Sequence, residues 1–188
     1  FDSSIKKLCL EIGFGAGEHL ADMVIKRPEV GFIGCEPFIN GVAALLAQTD
    51  SRDLKFRPKN LKIFPDDARL LLPHLPSAIV DQIYVLFPDP WPKKRHHGRR
   101  LICSENLDQF SRLLRPGGVF YFASDHMSYV RWTLQHLIKH SDFDWLADGP
   151  CDWRFRFKES IKTRYERKAL SSGFSCVYLT FRRRRQIA

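Results

Sequence analysis

Residues 8–26 read LCLEIGFGAGEHLADMVIK. The apolar run Leu8-Cys9-Leu10-Glu11-Ile12 has the length of a buried strand, the loop Gly13-Phe14-Gly15-Ala16-Gly17 follows at once, and a helical stretch runs from Glu18 toward Lys26. Strand, glycine loop and helix in that order bring a ligand close to the backbone, and the free N–H groups at the helix start favour electronegative groups. A dinucleotide fingerprint needs Gly-x-Gly-x-x-Gly, yet the sixth position counted from Gly13 is Glu18. Glu-x-Gly-x-Gly-x-Gly, with the acid ahead of Gly13, Gly15 and Gly17, suits a nucleoside cofactor without a pyrophosphate; the alternative is a plain tight turn.

Working outward, Val30-Gly31-Phe32-Ile33-Gly34-Cys35 reads as a second strand that ends in Glu36, about 20 residues after the glycine loop, where a carboxylate accepts from ribose hydroxyls. Val42, Leu45 and Leu46 predict a helix from Phe38. Leu61-Lys62-Ile63-Phe64 is a third strand, stopped by Pro65 and followed by Asp66-Asp67 and an apolar helical piece from Arg69 to Leu75. The paired acids either cap that helix or reach an adenine amino group.

Ile83-Tyr84-Val85-Leu86-Phe87 is the fourth strand, and Leu86 to Leu101 reads LFPDPWPKKRHHGRRL. Pro88, Pro90 and Pro92 restrict three φ angles within five residues, holding Asp89 and Trp91 at low conformational entropy. Lys93, Lys94, Arg95, His96, His97, Arg99 and Arg100 follow with no acid among them, so a polyanion bound there lies beside Asp89. Next come a helix capped by Ser104 and ended by Pro116-Gly117-Gly118, a fifth strand Val119–Ala123 with Ser124-Asp125 at its end, and a helix marked by Val130, Leu134, Leu137 and Ile138. The tail differs: Trp153–Phe157 and Cys176–Phe181 read as a closing strand pair without a full helix between them, and Thr163-Arg164-Tyr165-Glu166 as an exposed turn.

Strands alternating with helices predict an α/β fold, a mainly parallel sheet with helices on both faces and an antiparallel C-terminal strand pair. Ligands of such sheets bind beyond the carboxyl ends of the strands. Acids recur there: Glu36, Asp67, Asp89 and Asp125.

The 188 residues fit one domain spanning 1–188, with a leader expected ahead of Phe1 because the chain does not start with Met. The net charge of +9 is carried by Lys93, Lys94, Arg95, Arg99 and Arg100 together with Arg182 to Arg185; outside them, 21 bases face 21 acids. Two clusters of this kind are the footprint of a nucleic-acid binder, with an anionic membrane surface as the weaker alternative. The five cysteines are scattered and form no Cys-x-x-Cys pair, which argues against a disulfide framework or a zinc site and suits the cytoplasm. No apolar run is long enough to span a membrane, and the sequence points to no metal.

Taken together, these residues resemble the bacterial tRNA (guanine-N7-)-methyltransferase family. Phe87-Pro88-Asp89-Pro90-Trp91-Pro92-Lys93-Lys94-Arg95-His96-His97 is similar to its signature, with Glu11–Gly17 as its cofactor loop and Thr163–Glu166 as its Thr-x-Tyr-Glu element. The resemblance implies a Rossmann-like class I fold dependent on S-adenosyl-L-methionine and methyl transfer to N7 of guanine-46 in the tRNA variable loop. It implies that Glu11, Glu36, Asp67 and Asp89 contact the cofactor, with Asp89 also catalytic. Lys93, Asp125, Thr163, Arg164, Tyr165 and Glu166 would meet the substrate, and Arg95, His96, His97, Gly98, Arg99 and Arg100 the RNA. Two positions depart from the family pattern: Gly98 stands where a lysine is usual, and Asp66 where a glycine is common. The second leaves open which aspartate reaches adenine. The rival readings are a nicotinamide-dependent oxidoreductase and a non-catalytic RNA-binding module; the chain is expected as a monomer or homodimer.

Overall fold

In the computed structural model, which describes residues 1–49 and 58–185, seven strands form one sheet in the order β3-β2-β1-β4-β5-β7-β6. The strands are β1 (Lys7–Ile12), β2 (Val30–Cys35), β3 (Leu61–Phe64), β4 (Val80–Leu86), β5 (Leu114–Ser124), β6 (Phe143–Trp145) and β7 (Val177–Arg183). The helices are α1 (Glu18–Lys26), α2 (Ile39–Thr49), α3 (Ala68–Leu71), α4 (Ser104–Leu113), α5 (Met127–Lys139) and α6 (Arg164–Ser171). β1 to β5 pair in parallel, whereas β7 runs antiparallel to both β5 and β6.

Side-chain alternation along the strands builds two cores. Leu10, Ile12, Ile83, Val85, Phe120 and Phe122 pack with Leu107 and Phe110 of α4 and Tyr129 and Leu137 of α5. On the other face Cys9, Phe32 and Tyr84 pack with Leu20 and Val24 of α1 and Val42 and Leu45 of α2. Gly17, in the left-handed region at φ +79°, begins α1 where a Cβ would lie 2.7 Å from Leu45 side-chain atoms, so glycine is what lets α2 approach the loop. Among the described residues no helix is long and apolar enough to cross a membrane.

Four readings of the sequence change. Trp153–Phe157 is not a strand: Trp153 ends a 3-10 turn (Pro150–Trp153), and β7 pairs instead with β5 on one side and the three-residue β6 on the other. Thr163–Glu166 is not an exposed turn but the start of α6, a full helix between the last two strands; the Thr163 hydroxyl caps it by accepting the Glu166 N–H. Ser104 lies inside α4 rather than capping it, with Cys103 at the cap position. Pro116-Gly117-Gly118 lies within β5, next to an irregularity in its pairing with β4, instead of separating helix from strand.

Candidate active site

The parallel register aligns Ile12 with Cys35 and Val85, and Cys35 with Phe64. Residues just past these four positions therefore share one edge of the sheet. A cleft of about 520 Å³ opens there, lined by Gly13, Gly15, Glu36, Asp67 and Asp89 and also by Phe87, Trp91, Arg99, Arg164 and Tyr165. A second cavity of about 510 Å³ lies between α4 and α5, away from the strand ends.

Glu36 is 4% exposed, and its carboxylate accepts the N–H of Gly15 at 2.7 Å and of Phe38 at 3.0 Å. Among the described residues no cation pairs with it. A buried carboxylate held only by two backbone donors keeps lone pairs for donors in the cleft. Gly13 faces open space, with nothing within 4 Å of where a Cβ would stand.

Of the paired acids, Asp67 lines the cleft and Asp66 does not. Asp67 caps α3 through the Arg69 N–H at 2.9 Å and takes the Arg69 guanidinium as well. The hydrogen bond from that guanidinium holds the Asp67 carboxyl below its ordinary value.

The loop after β4 carries Asp89 between two non-glycine residues at positive φ, Phe87 at 52° and Trp91 at 42°. Each such conformation costs about 1–3 kcal/mol and persists only where its surroundings enforce it. One restraint is visible in the Phe87 N–H, which donates to Ala123 of β5 at 2.7 Å. Among the described residues the Asp89 carboxylate makes no hydrogen bond, and it is exposed at the cleft.

Of the remaining acids and the Thr163–Glu166 segment, only Arg164 and Tyr165 line the cleft. Glu11 is 5% exposed and accepts from His19 Nδ1 at 2.7 Å; with Thr163 it lines a small adjoining recess. Glu166 is 2% exposed, paired with Arg156 at 2.9 Å, and does not line the cleft. Tyr165 instead stands over the glycine loop, its ring 3.0 Å from where a Gly15 Cβ would be, and Arg164 pairs with Glu18 at 2.9 Å. Gly17, Lys93 and Asp125 do not line the cleft.

In the basic tract Lys93, Lys94, Arg95, Gly98 and Arg99 are exposed, whereas His96 and His97 are half-buried against Trp91 and Trp132. Arg100 departs from the expectation of an RNA contact: it is 2% exposed and bonded to the loop itself. The second cluster also differs from a free track, since Arg183 donates to the Leu114 carbonyl and Arg184 pairs with Asp144 at 2.7 Å.

The sequence reading missed Arg69, Phe38 and His19. Arg69 carried a signal, a base two residues past an acid at a helix start; the Phe38 contribution is a backbone N–H, which no side-chain pattern announces.

Comparison with known proteins follows the same lines. A family described as a putative methyltransferase matches residues 5–178. The tRNA (guanine-N(7)-)-methyltransferase of Agrobacterium fabrum is 49% identical over 184 residues, covering 98% of this chain and 78% of its own length. That of Rhodospirillum rubrum is 48% identical over 188 residues, covering 100% and 72%. Among solved structures, the 16S rRNA methyltransferase KamB matches with a TM-score of 0.65 at 19% identity, over 97% of this chain and 90% of its own. The precorrin-6y C5,15-methyltransferase of Geobacter metallireducens matches with a TM-score of 0.59 at 14% identity, over 96% and 82%. At such identities these two show the fold, which is the Rossmann-like class I methyltransferase fold with helices on both sheet faces.

Proposed function

The chain belongs to the tRNA (guanine-N(7)-)-methyltransferase family, and from that membership we propose that it transfers the methyl group of S-adenosyl-L-methionine to N7 of guanine-46 in the tRNA variable loop, in the cytoplasm. The observation that carries the reading is the buried Glu36 carboxylate, without a cation among the described residues, in the wall of a cleft that Asp89 and the exposed Arg99 also line.

The residues fit the cofactor. Glu36 has lone pairs for two ribose hydroxyls, Gly13 leaves room for a ligand against the backbone, and Asp67, which lines the cleft where Asp66 does not, would accept from the adenine amino group. Glu11, already holding His19, closes the adjoining recess under the glycine loop. When bound, S-adenosyl-L-methionine supplies an electrophilic methyl group on a sulfonium.

Guanine N7 has an in-plane lone pair and no proton, so its attack needs no general base. Transfer to N7 would release the sulfur as a neutral thioether that keeps the electron pair of the broken S–C bond, so the residues of the cleft have no proton to move. Alignment of the two partners can supply roughly 7–11 kcal/mol of the barrier. The purine ring gains positive charge, and Asp89, accepting from the guanine N1–H and amino group, orients the base and stabilises that charge. Tyr165 and Arg164 line the cleft, and Lys93, Lys94, Arg95 and Arg99 hold the phosphates.

The test is incubation with tritiated S-adenosyl-L-methionine and unmodified bulk tRNA, followed by nucleoside analysis. Label in 7-methylguanosine is the expected result; label in another nucleoside, or none, overturns the reading.

A further inference from the structure

Arg99 and Arg100 are neighbours in a tract that reads as uniformly solvated, yet Arg99 is exposed and Arg100 is 2% exposed. A guanidinium withdrawn from water needs its donors satisfied and its faces covered. Arg100 Nε donates to the Pro90 carbonyl at 2.9 Å, and Nη2 reaches the Trp91 carbonyl at 3.5 Å and Ser128 Oγ at 3.4 Å. The Tyr129 and Trp132 rings of α5 stand 5.0 and 4.9 Å from its central carbon.

Those rings are themselves fixed. Tyr129 Oη accepts the Ile102 N–H at 3.2 Å, and Trp132 Nε1 donates to the Ile102 carbonyl at 2.6 Å. A continuous brace runs from α5 through Arg100 to the two carbonyls that follow Asp89. The Asp89 side chain has no hydrogen-bond partner among the described residues, so its place over the cleft is set by its backbone. Trp91, whose carbonyl Arg100 holds, is one of the two residues kept at positive φ beside it.

We infer that Arg100 is a positioning residue whose guanidinium, seated on the Tyr129 and Trp132 rings and bonded to the Pro90 and Trp91 carbonyls, holds the Asp89 loop in register with the cleft. The catalytic consequence rests on the proposed role of Asp89; the brace itself does not. Lysine at this position keeps the charge and loses the planar fork, so Arg100→Lys separates a clamp from a phosphate contact.

Three quantities are measured on purified wild type, Arg100→Lys and Arg99→Gln: methylation kinetics on tRNA, the salt dependence of tRNA binding, and, without substrate, hydrogen exchange of the Phe87 and His96 amides, the nearest hydrogen-bonded N–H groups on either side of Asp89, which donate to the Ala123 and Lys93 carbonyls. For Arg100→Lys we expect kcat to fall about 10- to 100-fold, as for a reacting group displaced by an ångström or less. KM for tRNA and the salt slope stay as in wild type, and the two amides exchange faster while those of β4 do not. Arg99→Gln flattens the slope by about 0.7–0.9. Wild-type kcat in Arg100→Lys, or a slope flattened as in Arg99→Gln, overturns the inference. A lowered melting temperature with unchanged kcat would mean a purely structural residue and overturns it too. If Arg100→Lys does not fold, Trp132→Phe, which keeps a ring but drops the indole N–H, must speed exchange at the same two amides; unchanged exchange there counts against the brace. Because exchange is read without substrate, it decides on the brace even if the wild type modifies another base.

Discussion

The Glu36 carboxylate accepts the Gly15 N–H at 2.7 Å, joining the end of β2 to the loop that follows β1. One side chain thus shapes the glycine loop and presents its free lone pairs to the cleft, so a change at Glu36 acts on both.

Glu36→Ala should weaken S-adenosylhomocysteine binding at least about tenfold, because hydrogen bonds to a charged acceptor are worth about 1.5–3 kcal/mol each and 1.4 kcal/mol is a factor of ten. Calorimetric titration of the folded variant checks it; unchanged affinity would remove Glu36 from the cofactor site.

Asp89→Ala should lower kcat far more than tRNA affinity, since the carboxylate acts where charge develops while the exposed bases hold the polyanion. Single-turnover rates beside equilibrium tRNA binding separate the two. A variant with normal kcat and weak binding contradicts the catalytic role.

With Arg100 buried, four exposed bases remain in the tract: Lys93, Lys94, Arg95 and Arg99. If all four meet phosphates, log K for tRNA falls with log salt at about −2.8 to −3.6 from this tract, and neutralising Arg95 and Arg99 flattens the slope by about 1.4–1.8. Cofactor affinity does not serve as the readout, because Arg99 lines the cleft. Identical slopes in a salt series would mean that these arginines face only water.

Acid stability follows from Asp142. The Ser111 hydroxyl, which donates to it, holds the carboxyl below its ordinary 3.8, outweighing burial, with smaller help from Ser141, His140 and Arg183. A depressed folded value means that the stabilisation is present above pH 3.8 and is lost as pH falls through the folded value. Asp142→Asn should therefore be less stable than wild type at pH 7, with the difference closing below pH 3.8. Urea denaturation across that range checks it; a constant gap would assign the effect to packing.

Burial pushes the Cys9 and Cys35 thiols up to about 12, whereas Cys151 is exposed. At pH 8 an alkylating reagent should label Cys151 in the native chain and leave Cys9 and Cys35 until it unfolds, because the thiolate is the reactive form. Mass spectrometry of the labelled peptides reads this directly.

The parallel sheet and its row of acids were legible because each strand is a compact apolar run closed by a proline, glycine or acid, and parallel register then brings those endings together. The tail was harder. Trp153–Phe157 alternates aromatic and basic residues as a half-buried strand does, while the true partner of β7, Phe143–Trp145, is too short to show a period. Thr163-Arg164-Tyr165-Glu166 carried the Thr-x-x-Glu signal of a helix start, and reading it as a turn set that cue aside. Arg100 was beyond reach: charge predicts exposure, and only the Tyr129 and Trp132 rings, some 30 residues on, reverse that.

Because β7 runs against its neighbours, Val177 lies beside Ser124 near the cleft and Arg182 beside Val119, toward the opposite end of the sheet. An anchor attached to the side chain at Arg182 would thus sit on the far side of the molecule. Immobilised that way, the protein would turn its cleft away from the support, toward an arriving RNA.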